Sequence, residues 1–162
     1  MARLVLTDAS PLIALARVDG LSWLQSLFGV VWMPTEVSAE VLTGFGSPDE
    51  QAIRFALESG WLAVCDPTPD EPALPELDEG ETACIRIALA NPASSLLLMD
   101  ERAGRAIAME NGLQVAGTAA VIGMARMRGL VSSAKEVFTR LHKSDFRISV
   151  AVIETILRRV GE

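Results

Sequence analysis

The sequence predicts an α/β protein in which a parallel sheet of roughly five strands lies between two layers of helices. Short apolar runs alternate with amphipathic segments along the chain, as is typical of a parallel sheet with helical crossovers. The runs are apolar almost throughout, as expected for strands that are covered on both faces. With 162 residues, 50% of them hydrophobic, the chain has the size of one domain with a substantial core.

We therefore predict a single domain over residues 1–162. Its core would span about residues 1–130, and extra C-terminal helices would form an extension over about residues 131–162. Five strands are predicted, over residues 3–7, 30–33, 61–65, 96–99 and 114–116. Helices are predicted over residues 10–18, 35–42, 48–60, 78–90 and 102–111, followed by three helices from residue 118 onward.

Residues that favour caps and turns set several of these boundaries. Ser10 followed by Pro11 predicts an N-cap and a first-turn proline for the first helix. Ser47 and Ser149 predict the N-caps of two later helices. Residues 66–77 contain four prolines and four acidic residues, and they are predicted to form one long loop, either a surface connection or a flap over a site.

Composition excludes several classes of function. A net charge of −7 argues against a general nucleic-acid binder with a basic surface, but not against a nuclease whose carboxylates hold metal. The single histidine, His142, is predicted to be a solvated helix residue, which leaves little material for zinc sites or Ser-His-Asp triads. No apolar run approaches the roughly 18–20 residues of a membrane span, and we see no secretory signal. Cys65 and Cys84 are expected to be buried free thiols, which fits a cytoplasmic location.

Four acidic residues lie at strand ends or along apolar helix stripes, where apolar or neutral side chains are more usual. Asp8 and Asp100 each end a predicted strand, while Glu40 and Glu81 lie on or beside the apolar stripes of two helices. The carboxyl ends of parallel strands are where α/β proteins build their sites, so the four side chains are expected to share one crevice. Because like charges repel, such a cluster predicts a hard divalent cation, Mg²⁺ or Mn²⁺.

Each acid also has a structural alternative. Asp8 is at a strand-to-helix turn, where an Asp often stabilises the turn itself. Glu81 and Asp78 have the spacing of a capping box, and Asp100 is placed to be a helix N-cap. Glu36 shares a helix face with Glu40 but is nearer the helix start, where the macrodipole alone favours an acid. Glu79 and Glu101 are secondary candidates for the same site.

Five segments resemble a known family in their order and spacing. They are TDASPLIALA, PTEVSAEVL, LDEGETACIRIALA, LLLMDERAGRAIA and VAGTAAVIGMARMRGLV. Together they resemble the PIN-domain superfamily, in particular a prokaryotic branch of predicted nucleic-acid-binding proteins related to VapC toxins. The resemblance implies a compact α/β/α fold with a parallel sheet of about five strands.

The resemblance also implies a metal-dependent ribonuclease. Its acidic cluster carries over to Asp8, Glu40, Glu81 and Asp100, as catalytic residues and as ligands of Mg²⁺ or Mn²⁺. Three further residues are expected to support this cluster, namely Ser10, Glu36 and Thr118. Arg102 and Arg105 are expected to contact substrate phosphates, and the alternative for both is a surface ion pair with Glu101 or Glu110.

The expected partners are an RNA substrate, a small antitoxin protein and a second copy of the chain in a homodimer, with no membrane. Trp23 and its apolar neighbours would belong either to such an interface or to the core. One alternative function is a non-catalytic RNA-binding or regulatory module with the same fold. Another is a phosphatase, which is disfavoured because the first strand ends in Asp-Ala-Ser rather than Asp-x-Asp.

Overall fold

A computed structural model of the protein describes residues 3–162, so the first two residues of the predicted domain lie outside the described part. One sheet is formed by five parallel strands in the order β3-β2-β1-β4-β5. The strands are β1 Leu4–Thr7, β2 Val31–Pro34, β3 Leu62–Cys65, β4 Ser95–Leu98 and β5 Gln114–Ala116. The predicted fold class is confirmed, and each predicted strand agrees with an observed one to within a residue or two at its ends.

Helices connect the strands and cover the sheet. They are α1 Ala9–Arg17, α2 Leu21–Phe28, α3 Thr35–Val41, α4 Pro48–Glu58, α5 Glu79–Ala90, α6 Arg102–Glu110, α7 Thr118–Met127, α8 Ala134–Lys143 and α9 Val150–Arg159, with a short 3-10 helix at Pro92–Ser94. Helix α1 packs against α2, α4 and α7, whereas α5 packs on β1, β2 and β4 and contacts α6. Within residues 3–162, no helix has the length and apolar character needed to cross a membrane.

The prediction of an N-cap at Ser10 is wrong. Helix α1 begins at Ala9, with Asp8 at the N-cap position, so Ser10 is the second helical residue and Pro11 the third. Proline is tolerated there because the first amides of a helix have no acceptor within the helix. The predicted N-caps at Ser47 and Ser149 are confirmed, since both hydroxyls accept a hydrogen bond from the backbone N–H three residues later.

Helix α2 was not predicted. Only eight residues lie between Gly20 and Gly29, a length at which turn signals outweigh the helical pattern. The helix is stabilised by packing rather than by propensity, because Leu21, Trp23 and Leu24 are all buried. Trp23 is 8% exposed and lies against Gly20, where a Cβ would be 2.5 Å from the indole ring. It is therefore a core residue, and the alternative that it forms an interface is wrong.

The C-terminal helices pack back on the core. Helix α9 contacts α7 and α8, and its Ile156 lies close to Gly123 of α7, where a Cβ would be 2.9 Å from Ile156 Cγ2. Glu162 then fixes the start of α8: its carboxylate accepts hydrogen bonds from Ser133 Oγ and Ala134 N, at 2.8 and 2.7 Å. It also pairs with Arg126 Nε at 3.3 Å. The end of the chain thus holds α7, α8 and α9 together.

The strand order determines where a site can form. The chain adds β2 and β3 on one side of β1, and then β4 and β5 on the other. The side of the sheet on which the chain adds strands therefore changes between β1 and β4, although all the strands remain parallel. The crevice beyond the carboxyl ends of two such neighbouring strands is the usual position of ligand sites in parallel sheets. Asp8 and Asp100 follow these two strands, and the Asp8 N–H donates to the Leu98 carbonyl at 2.9 Å. The sheet thereby places both acids at the same edge.

Candidate metal centre

Asp8 is at the centre of the acidic cluster. It is 5% exposed, and its side chain makes no capping hydrogen bond to α1. Its Oδ1 is buried and has no hydrogen-bond partner among residues 3–162. Burial and the repulsion of Asp78, Glu40 and Asp100 raise the pKa of Asp8 to about 6, while the Ala9 N–H lowers it. An oxygen in this state is costly unless a donor or a cation meets it, so a turn-stabilising role does not account for Asp8.

Glu40 approaches Asp8 from the C-terminal part of α3. The oxygens Glu40 Oε2 and Asp8 Oδ1 both face Gly80, where a Cβ would lie 3.4 Å from the first and 3.0 Å from the second. Glu40 is an exposed residue, and partial burial together with the charge of Asp78 raises its pKa. The missing side chain at Gly80 thus leaves space for two carboxylates next to the first turn of α5.

Glu81 is buried in that same turn, with 5% of its surface exposed. Its N–H donates to Asp78 Oδ1 at 2.8 Å, so one half of the predicted capping box is present. Its carboxylate does not complete the box: among residues 3–162, Glu81 Oε2 is buried without a partner, and it faces Gly104 of α6. Burial, followed by the neighbouring Asp78 and Asp8 carboxylates, raises the pKa of Glu81 to about 8.

Asp100 is held in place by the start of α7. Its Oδ1 accepts a hydrogen bond from the Thr118 N–H at 2.7 Å, and its Oδ2 accepts one from the Thr118 hydroxyl at 2.6 Å. Gly117 makes this approach possible, since a Cβ there would lie 3.0 Å from Asp100 Oδ1. The N-cap position of α6 is occupied by Glu101, so the interpretation of Asp100 as a helix N-cap is wrong.

Asp78 is a fifth acid, for which the sequence predicts only a capping role. The structure confirms that it caps α5. Its charge also helps to raise the pKa of three carboxyl groups, those of Asp8, Glu40 and Glu81. The signal in the sequence was its distance of one helical turn from Glu81, which places both at the start of α5. Capping and participation in the site therefore coexist in this residue.

Two of the three expected supporting residues make no hydrogen bond to the acids. Ser10 Oγ forms no hydrogen bond within the described part of the chain, although it lies two residues after Asp8. Glu36 instead accepts a hydrogen bond from Thr68 of the long loop, at 2.8 Å, which ties residues 66–77 to α3. Of the three, Thr118 alone forms a hydrogen bond with a member of the cluster within residues 3–162. The secondary candidates Glu79 and Glu101 are exposed.

The two arginines lie on the Asp100 side of the cluster. Arg105 donates from Nη1 to the Met99 carbonyl at 3.0 Å, which holds its guanidinium beside Asp100, whereas Arg102 is exposed at the start of α6. Among residues 3–162, neither forms an ion pair with Glu101 or Glu110. Both line a cavity of about 780 Å³ that Asp100 also lines.

These residues fit a hard divalent cation that retains part of its water. Within residues 3–162, no three His, Cys, Asp or Glu side chains are close enough together to form a complete ligand set. Mg²⁺ does not require one, because it usually keeps several waters and binds through one or two carboxylates. Two buried, unpartnered carboxylate oxygens, on Asp8 and Glu81, provide ligands of the appropriate kind.

Comparison with known proteins gives the family. A family model described as PIN domain matches residues 4–162. The chain belongs to the PIN-domain family. This confirms the resemblance found in the sequence, and it gives the protein a nuclease-type fold from a family that typically uses divalent metal ions. The relation to VapC toxins stays a prediction.

A solved structure shares the fold of this PIN domain. It is a PilT N-terminus domain protein from the hyperthermophilic archaeon Sulfolobus solfataricus P2, with a TM-score of 0.55 and 17% sequence identity. The similarity covers 73% of this chain and 89% of that one. At this identity it shows the fold alone. Among curated proteins, no sequence matches this PIN domain.

Proposed function

We propose that this PIN domain is a metal-dependent endoribonuclease that hydrolyses phosphodiester bonds of RNA with Mg²⁺ or Mn²⁺. The observation that carries the proposal is the buried, unpartnered Oδ1 of Asp8, surrounded by the charges of Asp78, Glu40 and Asp100. A buried carboxylate oxygen without a hydrogen-bond donor is unfavourable unless a cation binds it, and this one lies where the carboxyl ends of β1 and β4 meet.

The residues divide the task by position. Asp8 and Glu81 would bind the cation directly from the buried side, and Glu40 and Asp100 would interact with it through the waters that it keeps. A bound divalent cation supplies activation of water and neutralises charge at the phosphate. Thr118 orients Asp100 through two hydrogen bonds, and such supporting contacts are usually needed to fix a ligand. Arg105, held by the Met99 carbonyl, is placed to meet a phosphate oxygen next to Asp100.

Cleavage of a labelled RNA tests this function. The purified protein is expected to cut RNA with Mn²⁺ or Mg²⁺ and to lose activity in EDTA. Asp8→Asn and Glu81→Gln are expected to reduce the rate by at least about 100-fold, because each removes a charged ligand. Glu79→Gln is the matched control, since it removes an exposed charge from the same turn of α5.

Two outcomes would argue against the proposal. Cleavage that persists in EDTA, or in both substituted proteins, would exclude a mechanism based on these carboxylates. If the protein binds RNA but cuts none of several sequences with either metal, the non-catalytic RNA-binding module becomes the better interpretation. Turnover of small phosphoesters without RNA cleavage would instead indicate a phosphatase.

A toxin role, a homodimer and a cytoplasmic location are further parts of the proposal. The two free thiols, Cys65 and Cys84, suit a reducing compartment. Exposed Met127 and half-buried Phe28 line the same surface pocket, which offers apolar surface for a second copy or a small protein. Light scattering after size-exclusion chromatography would give the number of copies. Growth arrest on expression, relieved by the product of a neighbouring short gene, would support the toxin role.

A further inference from the structure

The cavity beside Asp100 is bounded on its far side by the C-terminal helices. Its volume is about 780 Å³, and its wall includes Asp100 together with four arginines. Arg102 and Arg105 come from α6, whereas Arg147 precedes α9 and Arg159 ends it. The cavity therefore extends from a carboxylate of the candidate metal centre to a wall made by the last part of the chain.

Concentrating four arginines here is unexpected for a protein with 21 acidic and 14 basic residues. Among residues 3–162, the ion pairs involve Arg17, Arg54 and Arg126, and none of the four cavity arginines takes part in one. Arg105 lies beside Asp100 without forming an ion pair with it, and Arg102, Arg147 and Arg159 also form none among residues 3–162. An acidic chain offers many carboxylates, so this arrangement favours an external anion. A series of cations along a cavity is the arrangement that a polyanion requires.

The backbone on both sides of Arg147 is held by hydrogen bonds. His142, which was predicted to be a solvated helix residue, is half-buried and accepts a hydrogen bond from the Ile148 N–H at its Nε2, at 3.3 Å. The His142 carbonyl accepts one from Arg147 Nη1 at 3.4 Å. Ser149 then caps α9. The connection between α8 and α9 is thus fixed on both sides of Arg147.

The rest of the wall favours a single strand over a duplex. Between the arginines, the cavity is lined by apolar side chains that include Phe146, Ile148 and Val152. Unpaired bases can lie against aromatic and apolar side chains, but the bases of a duplex are already stacked and cannot reach them. An acidic peptide would also satisfy the arginines, but it would offer no phosphodiester to the proposed metal centre and no bases to the apolar wall.

We propose that Arg147 and Arg159, with Arg102 and Arg105, bind the phosphates of a single RNA strand that continues from Asp100 along the C-terminal wall. This inference rests on the proposed function, because it assigns the substrate path of the same centre. The C-terminal helices then determine which form of RNA is bound, in addition to covering the core.

The test measures binding without cleavage. Fluorescence anisotropy of a labelled 12-nucleotide single-stranded RNA is followed with the full-length Asp8→Asn protein in EDTA. In this background, Arg147→Gln with Arg159→Gln is compared with Lys143→Gln plus Arg158→Gln, two exposed cations outside the cavity. Both pairs change the net charge equally. The substitutions at Arg147 and Arg159 are expected to weaken binding roughly 10- to 30-fold at 0.1 M salt. They should also make the plot of log affinity against log salt concentration less steep by about 1.4, because each lost contact with a single-strand phosphate accounts for about 0.7.

Further measurements test which kind of ligand binds and whether the variants remain folded. The same RNA as a duplex and a polyglutamate peptide are expected to bind more weakly than the single strand. Arg147→Lys with Arg159→Lys keeps both charges and is expected to retain most of the binding, which separates loss of charge from misfolding. Equal weakening by the two charge-matched pairs, or equal or tighter binding of the duplex or the peptide, would overturn the inference.

The result is independent of whether the protein cuts RNA. If the wild type cleaves but the cavity arginines do not affect binding, the proposed function stands and the inference fails. If binding depends on the cavity arginines but no metal supports cleavage, the inference stands for a binding module and the proposed nuclease function fails.

Discussion

Thr118 holds both oxygens of Asp100, one through its backbone N–H at 2.7 Å and the other through its hydroxyl at 2.6 Å. The threonine is completely buried at the start of α7, so the hydroxyl has no water to replace this contact. One residue therefore sets the orientation of a carboxylate that lies 18 positions earlier in the chain.

Removing only the hydroxyl tests this contact. Thr118→Val keeps the shape and the N–H, and it is expected to reduce metal affinity or cleavage by about 10- to 100-fold, the usual cost of losing a group that orients a ligand. Thr118→Ser keeps the hydroxyl and should retain most of the activity. Titration with Mn²⁺, followed by the rise in thermal stability, measures the affinity. Equal affinity in the valine and serine proteins would show that the hydroxyl contact does not matter.

The metal-free protein is expected to lose stability as pH rises from 5 to 8. The pKa values of Asp8 and Glu81 are raised from 3.8 and 4.5 to about 6 and about 8, so the folded state holds these protons more tightly than the unfolded state. Their contribution to stability is complete below the unfolded values, and it is lost as pH rises through about 6 and then about 8. Mn²⁺ or Mg²⁺ should oppose the loss at pH 8.

Neutral substitutions should reverse this trend. At pH 8 in EDTA, Glu81→Gln is expected to be more stable than the wild type by at least about 1 kcal/mol, or roughly 2–4 °C in Tm for a protein of this size. The same protein should gain little from added metal. Glu79→Gln serves as the exposed control and should follow the wild type. A drop in the Tm of Glu81→Gln at pH 8 would contradict the assigned cause of the raised pKa.

Glu50 predicts the opposite dependence on pH. It is 4% exposed, and its carboxylate accepts hydrogen bonds from the Thr43 hydroxyl, the Thr43 and Gly44 amides and Arg54. The Thr43 hydroxyl is the largest cause that lowers its pKa from 4.5 to about 2, against the effect of burial. Its stabilising contribution is therefore present above about pH 4.5 and is lost as pH falls towards 2.

Glu50→Gln is accordingly expected to be less stable than the wild type at pH 7, with the difference shrinking as pH falls to 2. Urea unfolding at several pH values measures it. Asp49→Asn is a suitable comparison, because the Arg17–Asp49 ion pair is partly exposed and such pairs contribute little. A difference that is constant from pH 7 to pH 2 would exclude the ionised carboxylate as its source.

A substitution at Gly104 should disturb the candidate metal centre without changing any of its acidic residues. A Cβ at this position would lie 2.6 Å from Glu81 Oε2 and 2.7 Å from Met99 Sδ, so both side chains would have to move. Gly104→Ala is expected to lower metal affinity at least about tenfold, while the helix gains intrinsic propensity. Metal titration and thermal unfolding separate the two effects. Unchanged affinity would show that the Glu81 carboxylate does not need its present position.

The fold could be predicted because the hydrophobic pattern, the helix caps and the loop composition all indicated the same arrangement of elements. Short apolar runs, caps at Ser47 and Ser149 and a proline-rich loop all pointed to the same layered sheet. Helix α2 was missed because its stability comes from burial of Trp23 against Gly20, a contact that no local pattern reveals. Ser10 was mistaken for a cap because its side chain favours that position, whereas the N-cap is Asp8, two residues earlier, directly after β1.

The site could be predicted less completely. The positions of Asp8 and Asp100 after adjacent strands indicated that they would lie at one sheet edge. The choice between capping and metal binding for Glu81 depends on where its carboxylate points, and that is decided by Gly104 on another helix. The role of Asp78 was hidden for a related reason, since an N-cap and a charged neighbour of the site have the same sequence signature. The catalytic roles of Asp8, Glu40, Glu81 and Asp100 remain predictions.

Three glycines, each close to an acid, provide a criterion for whether a related protein can hold its acidic residues in the same arrangement. Gly80 adjoins Asp8 and Glu40, Gly104 adjoins Glu81, and Gly117 adjoins Asp100. A relative that keeps every acid but has a larger residue at these positions cannot present its carboxylates in the same arrangement. Judging whether such a protein is active therefore requires the residues that leave space around the acids to be compared along with the acids themselves.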